Sequence, residues 1–209
     1  GTIDANEYQG RPVVLAMNKM DFTANVAGNH IFDYPLEVIK KQTAAANFPV
    51  LGANILAAAG DKIAEPFLPY TIVQKNGLTI GIVGLTTIET QDKASQTNLQ
   101  PVKIVPPEQM AQFYIDELRN KGTQIIVLLT HIGSSQGKNN AVAGEIIPLL
   151  QKLRGVDAVV TGHTHLCVSG MHEGIPVIQA GCYGEAVGRI HLLYSRADKK
   201  VVAANPRVY

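Results

Sequence analysis

Short apolar runs alternate along this chain with polar breaks marked by glycine, and two different spacings in that pattern predict two kinds of element. Residues 158–160 (AVV) are apolar and largely β-branched and stop at Thr161-Gly162, as a strand inside a sheet should. Residues 124–130 (QIIVLLT) form a near-continuous apolar run, which predicts a strand covered on both faces. Residues 21–27 and 48–54 read as further short strands. Tyr70–Lys75 and residues 78–84 flank Asn76-Gly77, the strongest short-range hairpin signal. Helical spacing with an early proline predicts helices over residues 11–20 and 106–120, the second with an apolar face of Met110, Phe113, Tyr114 and Leu118. Residues 34–46 and 144–153 read as helices as well, with Pro148 near the first turn of the latter. Residues 1–10, 62–70, 86–105 and 134–143 carry neither period and are expected to be irregular, 86–105 as a long loop over one face. Residues 168–170, 175–180, 189–194 and 200–204 read as closing strands. Strands alternating with helices and then a run of strands predict a mixed sheet packed by helices, with a second sheet from the later strands.

Composition narrows the function classes. With 209 residues, 46% hydrophobic and 17% charged, the chain has the material for one well-buried α/β domain. A net charge of +1 without a basic run excludes the electrostatic footprint of a duplex nucleic-acid binder and of a polybasic membrane patch. No apolar stretch reaches the roughly 18 residues of a membrane span, and no signal peptide is read in this chain. Cys167 and Cys182 show neither CxxC nor finger spacing; a disulfide and two reduced thiols both fit.

The chemistry lies just past the strand ends. Asn29 and His30, Asn54, His131, then His163 and His165 recur at that position, mostly beside glycine. The carboxyl edge of an open α/β sheet is where ligands bind. Imidazole nitrogen and amide oxygen together suit a first-row divalent ion. Asn54 reads as a structural residue that caps a loop. His172, His191 and Arg189 read as ordinary surface or half-buried residues, and Cys182 as a small buried one.

Gly28-Asn29-His30-Ile31-Phe32-Asp33, Thr130-His131-Ile132-Gly133 and Gly162-His163-Thr164-His165 resemble three signatures of the calcineurin-like metallophosphoesterases. The resemblance is closest to the branch of 5′-nucleotidases and 2′,3′-cyclic-nucleotide phosphodiesterases, and residues 48–54, 80–85 and 179–190 share it. It implies a four-layer α/β/β/α sandwich with mixed sheets and two divalent metal ions, Mn, Zn or Fe. It implies that Asn29, His131 and His163 ligate one metal and His165 the other, that His30 is catalytic, and that Asp33 orients and charge-stabilises His30. The implied activity is hydrolysis of phosphate esters, nucleotides foremost, by a metal-activated water. The implied partner is a small-molecule nucleotide or phosphate ester, and the implied location is outside the cytoplasm.

Two departures qualify this. The Asp-x-His and Gly-Asp motifs that supply the family's other ligands and its bridging carboxylate do not occur in the sequence. Gly1-Thr2 resembles the residues that follow that Gly-Asp, so residues 1–209 read as a single metallophosphoesterase domain lacking its first strands and the C-terminal domain that sets base specificity. Three accounts fit: a partial chain, strands supplied by another chain, or an inactive relative retaining ligands for one metal. Ile31 stands where the family has glutamate, which weakens the orientation of nearby ligands. A non-catalytic binding module and a sulfate-thiol hydrolase of the same superfamily are the rival functions. Residues 86–105 and 134–143 are the loops expected to shape the phosphate pocket.

Overall fold

The computed structural model describes residues 3–209; Gly1 and Thr2, on which part of the family resemblance falls, lie outside the described residues. Two helices come first, α1 (Ile3–Glu7) and α2 (Arg11–Lys19), and α1 occupies part of a stretch expected to be irregular. Pro12 sits in the first turn of α2, where a missing N–H removes no helical bond. The strand expected over residues 21–27 is only β1 (Asn25–Val26). It leads through a 3-10 turn at Asn29–Asp33 into α3 (Leu36–Ala45).

The strand expected over residues 48–54 is β2 (Val50–Leu51), parallel to β1. The chain then turns, with the Ile55 N–H donating to the Gly52 carbonyl, and continues as β3 (Ile55–Ala57). β4 (Tyr70–Lys75) and β5 (Leu78–Thr86) form the predicted hairpin. Asn76 at φ 53° and Gly77 at φ 69° are the left-handed pair that a two-residue turn between twisted strands demands.

Residues 86–105 are not one long loop. They hold α4 (Thr90–Lys93), α5 (Gln96–Leu99) and β6 (Val102–Ile104), which pairs antiparallel with β3. Elements this short leave no period in a sequence. α6 (Pro107–Asn120) buries Ala111, Ile115 and Leu118. Its inner face is thus rotated from the expected one: Leu118 is common to both, Tyr114 packs at the margin and Phe113 is exposed.

β7 (Ile125–Gly133) comes next. In the expected loop 134–143, β8 (Ser135–Gln136) and β9 (Val142–Ala143) make a small antiparallel pair. α7 (Ile146–Leu150) is shorter than the predicted helix. Gly144 at φ 100° delays its start, and Pro148 falls in the first turn, where N–H groups have no intrahelical partner. β10 (Ala158–Gly162), β11 (Cys167–His172), β12 (Ile175–Ala180), β13 (Gly188–Ser195) and β14 (Lys200–Val208) complete the chain.

The central sheet has the order β11-β12-β10-β7-β5-β4. Its inner strands β12, β10, β7 and β5 run parallel, and β11 and β4 are antiparallel edges. β11 and β12 thus join the main sheet, and the later strands contribute only the separate β13–β14 ribbon as a second one. The ribbon is tied on where Ser169 Oγ donates to the Pro206 carbonyl at 2.8 Å. The main core packs Val83, Leu85, Ile126, Leu128, Val159 and Val177 of the sheet against Ile115, Leu118, Ile146 and Leu149. Each such side chain contributes about 1.5–3 kcal/mol of burial. A second cluster, including Phe32, Ile39, Ile55, Phe67 and Ile104, lies around β1–β3.

β2 crosses β5 at contact distance. A Cβ added at Gly84 would stand 2.1 Å from the Leu51 Cβ, so only glycine fits there. The parallel register sets Thr86 of β5 beside His131 of β7, and Gly133 of β7 beside Gly162 of β10. The carboxyl ends of three neighbouring strands therefore share one edge.

Candidate functional site

At that edge three segments converge. His131 lies on β7 and is half-buried. The 3-10 turn after Gly28 brings in Asn29, buried at 5% exposure, with Oδ1 2.9 Å from His131 Nε2. His163, just past β10, sets Nδ1 3.3 Å from the same His131 Nε2, with the two rings edge-on at 5.1 Å. Of the glycines in the surrounding motifs, Gly28 has a steric reason, and Gly162 lies at ordinary contact distance. A Cβ at Gly28 would lie 2.7 Å from the His131 ring, and one at Gly162 3.4 Å from His131 Nδ1. The His131 ring is thus confined by the Gly28 backbone. Past Gly162 the backbone is unusual, with His163 at φ 78° and His165 at φ 60°, a left-handed geometry that non-glycine residues adopt mainly where the surroundings enforce it. The enforcement is visible: Thr164 Oγ1 donates to the Ser134 carbonyl at 2.6 Å, and buried Gln179 donates to Thr164 Oγ1 and the Leu166 carbonyl.

Burial pushes the His131 imidazole down to about 4, and the neighbouring His163, His30 and His165 push the same way. His131 is therefore neutral at physiological pH and offers a lone pair rather than a charge. His30 is exposed, and its Nδ1–H donates to Asp33 Oδ2 at 2.8 Å. That contact leaves Nε2 free, and a carboxylate in this position orients an imidazole. His165 is exposed and stands edge-on to Tyr183 at 5.8 Å, apart from the three-residue cluster in its contacts.

The remaining sequence candidates lie elsewhere in role. Asn54 is fully buried and stitches strands: Nδ2 donates to the Thr86 and Val105 carbonyls, and Oδ1 accepts the Thr86 N–H, all at 2.9 Å. It is structural, as expected. Arg189 stacks over Tyr209. Cys167 and Cys182 are free thiols. Ile31 packs against the second hydrophobic cluster.

Two carboxylates escaped the sequence reading. His163 Nε2 donates to Glu89 Oε2 at 3.2 Å, and Lys93 pairs with the same oxygen at 2.5 Å. The Lys93 bond first, then the His163 bond, hold the Glu89 carboxyl below its ordinary range. Glu145 accepts the Thr87 hydroxyl at 2.5 Å and the Gly133 N–H at 3.2 Å, and Thr87 Oγ1 in turn accepts the Glu89 N–H. For Glu89 the signal was the one that exposed the histidines: Thr87 and Glu89 follow directly on a buried strand.

Among the described residues, no group of three or more His, Cys, Asp and Glu is arranged to hold a metal ion. The convergent set counts differently because one donor is an amide oxygen. Asn29 Oδ1 and His163 Nδ1 lie 2.9 and 3.3 Å from His131 Nε2, and amide oxygen with imidazole nitrogen is the donor chemistry that divalent first-row ions accept. The residues present fit one such ion.

The sequence profile of the calcineurin-like phosphoesterase family matches residues 6–167. The chain belongs to the calcineurin-like phosphoesterase family. Within it, this phosphoesterase domain is related to 5′-nucleotidases and 2′,3′-cyclic-nucleotide phosphodiesterases. It is 30% identical to a 5′-nucleotidase of Vibrio cholerae over 98% of its own length and 41% of the relative's. It is 29% identical to a 2′,3′-cyclic-nucleotide 2′-phosphodiesterase/3′-nucleotidase of Salmonella typhimurium over 90% of its length and 32% of that protein's. The chain thus spans about a third to two-fifths of these relatives. A 5′-nucleotidase precursor of Thermus thermophilus superposes with a TM-score of 0.83 at 27% identity, over all of this chain and 42% of that one. The mixed central sheet is that of phosphoesterase structures. Divalent metals are typical of the family, and among the described residues no helix is long and apolar enough to cross a membrane.

Proposed function

We propose that this domain is the catalytic part of a metal-dependent hydrolase of phosphate esters, with nucleotides as substrates in the manner of a 5′-nucleotidase. The observation that carries the reading is the meeting of Asn29, His131 and His163 at one sheet edge, where the 3-10 turn that supplies Asn29 also bears the His30–Asp33 pair. A divalent ion on those three donors would lower the pKa of a bound water and offset charge on a phosphoryl group. The chain's own residues do the rest. His131, neutral through burial, adds no repulsive charge to a cation. His131 lies on β7 and His163 just past the adjacent parallel β10, so the donors are preset before any ligand arrives. His30 uses Nδ1–H on Asp33 and keeps Nε2 for the substrate, where it hands a proton to the departing alkoxide or steadies the transferring phosphoryl group. Asp33 accepts from Nδ1 throughout, so His30 keeps one ring orientation while Nε2 gains and loses that proton. His165, at the exposed rim, is the donor proposed for a second ion.

The test is phosphate release from AMP and from an aryl phosphate with added Mn²⁺ or Zn²⁺, with metal content measured in parallel. Turnover that a chelator abolishes is expected. No release with any divalent ion overturns the reading.

Ile31 favours a second reading. Its side chain serves the hydrophobic cluster and not the site, which suits a binding module that has kept the edge of an active site. On this reading Ile31→Glu gains no hydrolysis, and nucleotide binding by calorimetry persists without turnover.

A further inference from the structure

His163 makes one contact through each ring nitrogen. Nδ1 looks at His131 Nε2 across 3.3 Å, and Nε2 looks at Glu89 Oε2 across 3.2 Å. A carboxylate accepts and cannot donate, so the Nε2 position carries the proton. A neutral imidazole then has its lone pair on Nδ1, aimed at the corner where Asn29 and His131 meet. We propose that Glu89 is a positioning residue that fixes His163 in the tautomer and ring orientation required to donate through Nδ1. The inference rests on reading Asn29, His131 and His163 as one donor set for a divalent ion.

Glu89 is itself well held. It precedes the short helix α4, its backbone N–H donates to Thr87 Oγ1, and Lys93 one turn on pairs with its carboxylate. The Thr87 N–H donates to the His131 carbonyl at 3.0 Å. The loop that carries Glu89 is therefore anchored to the strand that carries His131. Two donors of the set are linked through one loop, and a carboxylate behind a ligating histidine commonly governs affinity. Glu145 reaches Thr87 and Gly133 rather than a histidine, so it stiffens the loop and has no hold on the tautomer.

The experiment has two arms on histidine-¹⁵N-labelled protein. In the first, two-bond proton–nitrogen correlations of the metal-free protein report which nitrogen of His163 is protonated, with signals assigned by their loss in His163→Ala. The wild type should show protonated Nε2, Glu89→Ala a mixture of both forms, and Lys93→Met the wild-type pattern. Protonated Nδ1 in the wild type overturns the proposal without need of any variant. In the second arm, calorimetric titration with Zn²⁺ should show Glu89→Ala binding about 10–100-fold more weakly than wild type. An affinity within twofold, with the fold intact by circular dichroism, overturns it. If wild-type protein takes up no ion, the donor-set reading falls, and the tautomer arm still decides whether Glu89 sets His163.

Discussion

His131 is the residue on which the site turns, and its environment is unusually specific. The Gly28 backbone confines the ring on one side, an amide oxygen and an imidazole meet its Nε2, and burial keeps it neutral. Gly28→Ala tests the confinement. Its backbone, at φ −99°, is open to alanine, so the cost is purely steric: a methyl 2.7 Å from the ring. Overpacking of this kind costs about 1–3 kcal/mol and here would be relieved by tilting the imidazole. The variant should fold with a modestly lowered melting temperature and lose most of its Zn²⁺ affinity in calorimetric titration. Full affinity would show that the glycine is not there for the ring. At the rim, His30→Ala removes a group proposed for proton transfer, a role worth about 10²–10⁴-fold in turnover. Phosphate release should fall by that order while metal content stays at the wild-type level, because His30 donates to Asp33 and not to the donor set.

At the scale of elements, the site depends on strands being stitched in register. Asn54 does this for three segments at once, joining the β3 start to the end of β5 and to the residue after β6. Asn54→Ala leaves two carbonyls and an N–H without their partners in a fully buried place. A buried group stranded in this way costs about 1–3 kcal/mol, so the variant should lose at least that much in urea unfolding. A loss below about 0.5 kcal/mol would mean that water replaces the amide. Elements of this kind also mark how far the sequence was legible. The β4–β5 hairpin, α6 and β7 could be read because Asn76-Gly77, an early proline and an unbroken apolar run each have a local physical cause. The split between β2 and β3 could not, because it is imposed by Asn54 bonding to residues 32 and 51 positions away. The rotated face of α6 is a similar case. Met110 and Phe113 look apolar in the sequence, yet Gly81 leaves room in the sheet for Leu118, whose Cδ1 would stand 2.8 Å from a Cβ there, and so selects the Ala111–Ile115–Leu118 stripe. For the site, the strand-end histidines and Asn29 were legible from their recurrence beside glycine. Glu89 carries the same strand-end signal, but its pairing with His163 was not legible, because the two lie 74 residues apart.

The whole molecule carries its stability unevenly, and this would give the proposed metal binding a global effect. The six-stranded sheet and its helices hold the larger core, and the β1–β3 region holds a separate cluster. By contrast α2 buries no residue fully, and Val13 and Leu15 are about half exposed. The proposed donors straddle the two cores: Asn29 belongs to the turn beside the smaller one, and His131 and His163 to the strands of the larger. An ion on all three would cross-link them and stabilise only the folded state. At a free concentration of about 100 times the dissociation constant the gain is about 2.7 kcal/mol. For a domain of this size that raises the melting temperature by about 5–10 °C. Differential scanning fluorimetry with Zn²⁺ or Mn²⁺ should show this shift, chelator should reverse it, and Asn29→Ala should lose most of it because that residue is the link to the smaller core. An equal shift in Asn29→Ala would place the ion on the histidines alone and leave the two cores uncoupled.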